Sequence, residues 1–526
     1  MKPTKFKCLE FTFFLSTFVV SLFLNFATQR HSFPNPDTNQ IYLFSDLLIR
    51  NQTLWYYNEL NVKYVIPIFG IRSLLNFGHN YLVPSVIPGI IMIQALFKLI
   101  NLPTFFINPI FVLIGLYFFN KIVDIFIFNN RFWSLFATAI YFSSGAFIHN
   151  SSLPFKDLVA TATFFVGLYY ILNGIYNKKA SNFALFGFFA GVTMWMSYPS
   201  IIFYLPVLAL HLFTIRNEIL KRQNLKNLII TLIFFFPLLF SLYIYQVTVF
   251  DGFLNFNNPV FRLNHYEAFN VRSSISSFVL NVNINQLPVN FFNQIFLVNP
   301  ILISFSILGF LYVIYDCIKK KKVNKVLLVL LVLVAMQFLF YLGKTWYGDL
   351  LKGSVATSYS RYLLISWGVL IILSVSAIKR MVNSLTVRHT RKKSALILLI
   401  IYFVVSGSVV ALFSLKPDIE NSEMANKLRN DITKNTPKNS IIFTSYYDKH
   451  IYPVRQTAIY VAIPEEERLN KTLYLMKELL EDGYSVYIVD ERDDYSISPV
   501  LSKDIFEKNG LKTERAFGKF YRITLG

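Results

Sequence analysis

The sequence predicts an α-helical polytopic membrane protein, with about 11 transmembrane helices, an interfacial or re-entrant helix and a small C-terminal α/β extracytosolic domain. Three observations carry this. The 526 residues are 54% hydrophobic and 15% charged, against roughly 25% charged in a soluble chain. Apolar runs long enough to cross a hydrocarbon core of ~30 Å recur as far as residue 415. Beyond that point the runs stop, and short strands alternate with amphipathic helices.

The spans are expected near 9–27, 104–125, 132–149, 158–176, 182–197, 199–215, 227–249, 298–317, 325–343, 361–378 and 394–415. The first follows the basic stretch Met1–Lys7. No small-residue cleavage site comes after it, so it is expected to stay as an uncleaved span. The pair 182–197 and 199–215 is short and meets at Tyr198-Pro199.

Charge sets the orientation. The net charge is +21, yet residues 416–526 hold 17 basic and 18 acidic residues, leaving 33 basic and 11 acidic in residues 1–415. The excess therefore sits between apolar runs, at Lys178-Lys179, Arg216 to Lys226, Lys319 to Lys325 and Lys379 to Lys393. Basic loops stay in the cytosol. This is a topology signal, not a nucleic-acid footprint, and no nucleic-acid partner is expected. With a cytosolic N-terminus, eleven crossings put every cluster inside. Counting 81–100 as a further span would invert all that follows. It is read instead as a loop helix whose start is crowded by Pro84, Pro88 and Gly89. The expected domains are 1–415, transmembrane with a first outer loop 28–103, and 416–526, extracytosolic. Cys8 and Cys317 lie beside separate basic clusters, so no disulfide is expected.

In the tail, Ser440–Thr444, Thr457–Ala462 and Ser485–Val489 read as strands. Leu469–Glu481 reads as a helix ending at Gly483, Lys503–Lys508 as a second helix, and a last strand falls near 519–524. The tail has no Gly-rich phosphate loop and no cluster with metal-ligand spacing.

Three places outside the membrane have chemical character. The first outer loop opens Phe33-Pro34-Asn35-Pro36-Asp37-Thr38, with Asp37 at the start of a helical pattern. Asp37 is either a helix cap or a general base at the membrane surface, and one carboxylate can serve both roles. The short outer loop ends Pro154-Phe155-Lys156-Asp157. An acid there suits a helix N-terminus, and the adjacent Lys156 and Asp157 together could hold a phosphate or a divalent ion. Ser360-Arg361-Tyr362-Leu363-Leu364 begins a late span from the outer side. An arginine there either snorkels to headgroups or pairs with a lipid phosphate through its forked guanidinium.

In this order the motifs resemble the GT-C superfamily of membrane glycosyltransferases, of the protein O-mannosyltransferase and aminoarabinose transferase type. The resemblance covers about residues 9–380. It implies inverting transfer of a sugar from a polyprenyl-phosphate carrier to an acceptor hydroxyl on the extracytosolic face. The acceptor is a protein, lipid or glycan. By resemblance Asp37 is the base, and Asp157 places the acceptor or a metal. Arg361 and Tyr362 lie near the carrier phosphate. A phosphate leaving group departs as an anion and needs fixed cations, for which Lys156, Arg361 and Arg72 are candidates. Asp37 and Asp157 are the candidate ligands of a divalent metal ion. Thr38 stands where the family often has a second acid, and Trp346-Tyr347-Gly348-Asp349 is only superficially like the signature of oligosaccharyltransferases. The alternative is a transporter or flippase, or a non-catalytic partner in lipid-linked glycan assembly. That reading calls for functional charge in mid-span.

Overall fold

The computed structural model describes residues 3–29, 36–64, 69, 74–77, 81–84, 88–153, 156–216, 221–250, 282–320, 324–344, 354–384, 389–445, 447–460, 465–490 and 503–526. Arg72, Trp346 to Asp349 and most of the middle outer loop lie outside these. The chain divides into two compact units. One comprises Met1–Thr28, Asn101–Ile244 and Ile275–Pro417; the other comprises Gln29–Ile100, Tyr245–Ser274 and Asp418–Gly526.

Among the described residues of the whole chain, eight helices are long and apolar enough to cross a membrane: Phe6–Thr28, Thr104–Phe128, Lys156–Asn177, Arg222–Tyr245, Pro300–Lys319, Lys325–Leu342, Leu364–Ser384 and Ile397–Asn435. Ala180–Met196 and Pro199–Ile215 are shorter apolar helices. The expected span 132–149 is helical but broken, as Arg131–Ser143 and Gly145–Ser152. The protein is thus a multi-pass integral membrane protein.

The first unit is a helical bundle. Asparagine side chains start several of its helices: Asn130, Asn299 and Asn324 each accept from backbone N–H groups of the first turn. The apolar windows of Lys156–Asn177 and Leu364–Ser384 are 78% and 72% buried, against 11% for Arg222–Tyr245, so the first two form its centre. In hydrocarbon, helices are held by close backbone approach and interhelical hydrogen bonds. Both occur where Leu364–Ser384 crosses Pro300–Tyr315. A Cβ on Gly309 would lie 2.1 Å from the Leu373 carbonyl oxygen. One turn away, Ser306 Oγ donates to Leu370 O at 2.8 Å and sits 2.7 Å from Ser374 Oγ.

The second unit is α/β. A five-stranded sheet is built from β4 (Ser440–Thr444), β5 (Gln456–Ile459), β6 (Ser485–Val489), β7 (Leu511–Phe517) and β8 (Phe520–Leu525), in the order β5-β4-β6-β8-β7. The β4 strand is parallel to both β5 and β6, while β8 is antiparallel to β6 and β7. Helix Glu465–Glu481 covers it through Leu473, Met476 and Leu479. Residues of the segment between the first two spans enter the same core. Leu60 and Phe69 are buried in it, and Phe69 bridges Ala458.

The segment 81–100 divides into a strand, β3 (Tyr81–Pro84), and a helix, Pro88–Leu99. That strand pairs antiparallel with β1 (Tyr56–Tyr57) and β2 (Leu74–Phe77). The helix has 12 residues, a rise of about 18 Å, which falls short of a ~30 Å core. Its Lys98 reaches Asp46 at 2.8 Å and Ser45 Oγ at 2.7 Å, tying it to helix Pro36–Asn51. Burial lowers the Lys98 ammonium pKa below its usual range, and the Asp46 hydrogen bond opposes this.

Candidate active site

The site in the first unit is built where two chain reversals meet. The Gly145–Ser152 helix starts at Ser144, whose extended backbone (ψ 137°) breaks the preceding helix. The Ser144 hydroxyl accepts from Phe147 N at 3.4 Å. All eight residues of that helix are buried, so the carbonyls at its end need partners. Side chains supply them: Asn25 Nδ2 donates to Ser151 O at 2.8 Å, Thr28 Oγ1 to Ser152 O at 2.6 Å and Asn108 Nδ2 to Leu153 O at 2.6 Å. The chain then enters Lys156–Asn177, with Asp157 in the first turn, where the helix dipole favours a carboxylate.

The second reversal is Ser354 to Leu363. Thr357 caps the short helix Ser358–Tyr362. Asn150 Nδ2 donates to Ser360 Oγ at 2.8 Å, and Ser360 Oγ in turn donates to Val355 O. These bonds lock the two reversals together and bring Arg361 Nε to 3.9 Å from Asp157 Oδ2, with the two side chains 19% and 8% exposed. At that separation the pair is ionic and not hydrogen-bonded. The guanidinium lies over the Tyr362 ring, 4.8 Å from its centroid, and Nη2 donates to Tyr362 Oη at 3.0 Å. Tyr362 stacks on Tyr341 at 5.1 Å and 13°. A guanidinium stacked on an aromatic face is held in plane and keeps its fork oriented.

Lys344 joins this corner and belongs to no motif in the sequence. Its carbonyl accepts from Tyr359 Oη and from Asn290 Nδ2 at 2.9 Å. It lies just past the Lys325–Leu342 span, and burial lowers its ammonium from 10.5 to about 8. Lys156 is half-buried beside Asp157.

Asp37 belongs to the second unit. The helix carrying it begins at Pro36, so Asp37 stands inside the first turn and not at the cap position. Its side chain is outside the described residues, as is Arg72. Two residues on, Asn39 Nδ2 donates to Lys449 O at 2.5 Å, and Arg429 Nη2 donates to the same carbonyl at 3.2 Å. Among the described residues no group of three His, Cys, Asp or Glu converges as a metal site would. Asp157 itself faces a guanidinium, an environment that does not fit a divalent cation.

The fold is that of a polytopic helical membrane protein. No family model matches the sequence, and no curated protein matches it. Among solved structures, the chain is similar to that of ArnT from Cupriavidus metallidurans bound to undecaprenyl phosphate, with a TM-score of 0.54, 10% identity and 97% of each chain covered. At that identity the likeness is one of fold.

Proposed function

We propose that this protein is an integral-membrane glycosyltransferase that transfers a sugar from a polyprenyl-phosphate carrier to an acceptor hydroxyl on the extracytosolic face. In this reading residues 1–415 form the transferase domain, the N-terminus is cytosolic and the domain 416–526 is extracytosolic. The observation that carries it is the Asp157–Arg361 pair: two short motifs 204 residues apart in sequence meet at 3.9 Å, with the arginine stacked and aimed by its neighbours. The ArnT-like fold, from a structure that holds undecaprenyl phosphate, supports the same carrier class.

The chemistry is an in-line displacement. The acceptor oxygen attacks the anomeric carbon as its proton passes to the Asp37 carboxylate. The bond from that carbon to the carrier oxygen breaks, the configuration inverts, and the carrier leaves as a phosphate monoester. Its added negative charge is taken up by fixed cations, first Arg361 and then Lys344, with Lys156 and Arg72 as further candidates. Asp157 holds the Arg361 guanidinium in place before charge develops, so little reorganisation is needed during transfer. Carrier binding tests the phosphate site. Arg361→Gln is expected to weaken binding of undecaprenyl phosphate to the purified protein by about tenfold or more, the loss of one charge-assisted contact. Unchanged binding in a folded Arg361→Gln protein would overturn the assignment.

A further inference from the structure

A second polar site lies at the other end of the same helical unit. Leu364–Ser384 leads away from Arg361, and from Leu364 to Arg380 it climbs about 24 Å at ~1.5 Å per residue. There a cavity of about 250 Å³ opens among the ends of four helices. Lys379, Arg380 and Asn383 line it from Leu364–Ser384, and Asp316 from the turn after Pro300–Tyr315. Ile127, Phe128 and Leu327 make the opposing wall apolar.

The charges do not balance. Arg380 Nη2 contacts Asp316 Oδ2, and its guanidinium lies over Tyr312, 5.0 Å from the ring centroid. Among the described residues it forms no other hydrogen bond, so one terminal nitrogen of a fork with five N–H donors is used. Lys379 is half-buried, with Nζ 5.2 Å from the centre of the Phe128 ring, and it has no carboxylate partner among the described residues. The cavity wall therefore holds two cations against one anion. Snorkelling explains basic residues at a helix end, but snorkelled side chains point to the headgroup layer. Here they converge on a concavity with an apolar back wall.

We infer that this cavity binds the phosphate of an anionic lipid at the membrane face opposite the Asp157–Arg361 pair. Arg380 presents its fork to the phosphate oxygens and Lys379 a point charge. The apolar wall accepts the start of the lipid tails. The site is independent of sugar transfer: Asp316 is its internal counter-ion and competes with the phosphate for Arg380.

The test measures binding of phosphatidic acid to the purified full-length protein by native mass spectrometry, with phosphatidylcholine and inorganic phosphate as separate arms. All variants carry Arg361→Gln, which weakens binding at the other face and leaves what remains there as a background common to every variant. Phosphatidic acid is expected to bind saturably and at least about tenfold tighter than either control. Lys379→Gln is expected to weaken it about tenfold, and Asp316→Asn to tighten it, because Arg380 is released. Lys178→Gln with Lys179→Gln, exposed and outside the cavity lining, should change nothing. Three results would overturn the inference: no saturable binding, equal loss in the Lys178/Lys179 control, or inorganic phosphate binding as tightly as the lipid. Lys379 makes no hydrogen bond or ion pair among the described residues, so its substitution leaves the fold intact and the test interpretable even if Asp316→Asn misfolds.

Discussion

Removing the Asp157–Arg361 pair one partner at a time tests whether it is an interaction or a coincidence of placement. Two unit charges 3.9 Å apart attract by about 4 kcal/mol at an effective dielectric constant of about 20. The net worth is smaller, because both side chains have left water and no hydrogen bond joins them. Asp157→Asn leaves a buried guanidinium without its counter-ion. Arg361→Gln leaves a buried carboxylate and also breaks the contact with Tyr362 Oη. Each single change is therefore expected to cost about 3 kcal/mol, the low end for broken buried pairs. The double variant should cost little more than either single, a coupling of about 2 kcal/mol. Equilibrium unfolding in mixed micelles, with the four proteins compared at one pH, reads these differences. Additivity to within about 0.5 kcal/mol would refute the reasoning, because the two side chains would then not sense each other.

Two further outcomes follow from the same geometry. Lys344 titrates near 8 when folded against an ordinary 10.5, so between those values the unfolded chain holds the extra proton and stability rises with pH. Below pH 8 the cost of burying the ammonium is fully present; Lys344→Met should abolish the rise in melting temperature between pH 7.5 and about 10, and a wild-type melting temperature that falls over that range would contradict the assignment. Gly407 packs where its Cβ would lie 1.8 Å from the Ser143 carbonyl oxygen, at the break before Gly145–Ser152. Gly407→Ala should destabilise by about 1–3 kcal/mol or more in the same unfolding assay, while Val409→Ala on the exposed side of that helix should stay within about 0.5 kcal/mol.

Much of the fold was legible in hydropathy and local pattern. The β4 and β6 strands and the helix Lys503–Lys508 fall where the residues place them, and Gly483 closes its helix with φ +82°. The span 132–149 reads as continuous because hydropathy averages over Ser144, while that serine caps a new helix. Strand β7 escaped because Lys512, Glu514 and Arg515 give it little apolar alternation; it is an edge strand, where charge is tolerated. The expected span 394–415 belongs to a longer helix, His389–Asn435, which runs on through Pro417. At the site, residue types announced Asp157 and Arg361, but their convergence depends on the hydrogen bond between Asn150 and Ser360, 210 residues apart, which no local pattern announces. Lys344 carried no signal at all, since its role comes from the Tyr359 and Asn290 bonds that bury it.

In the proposed reaction a sugar leaves a polyprenyl-phosphate carrier while Asp37 takes the acceptor's proton. The most direct measurement incubates the purified protein with a panel of undecaprenyl-phosphate sugars and acceptors and follows release of undecaprenyl phosphate. The wild-type protein is expected to release it from at least one donor, and a folded Asp37→Asn protein to lose about 100-fold or more of that rate. No release from any donor, or an undiminished rate in Asp37→Asn, would contradict the account.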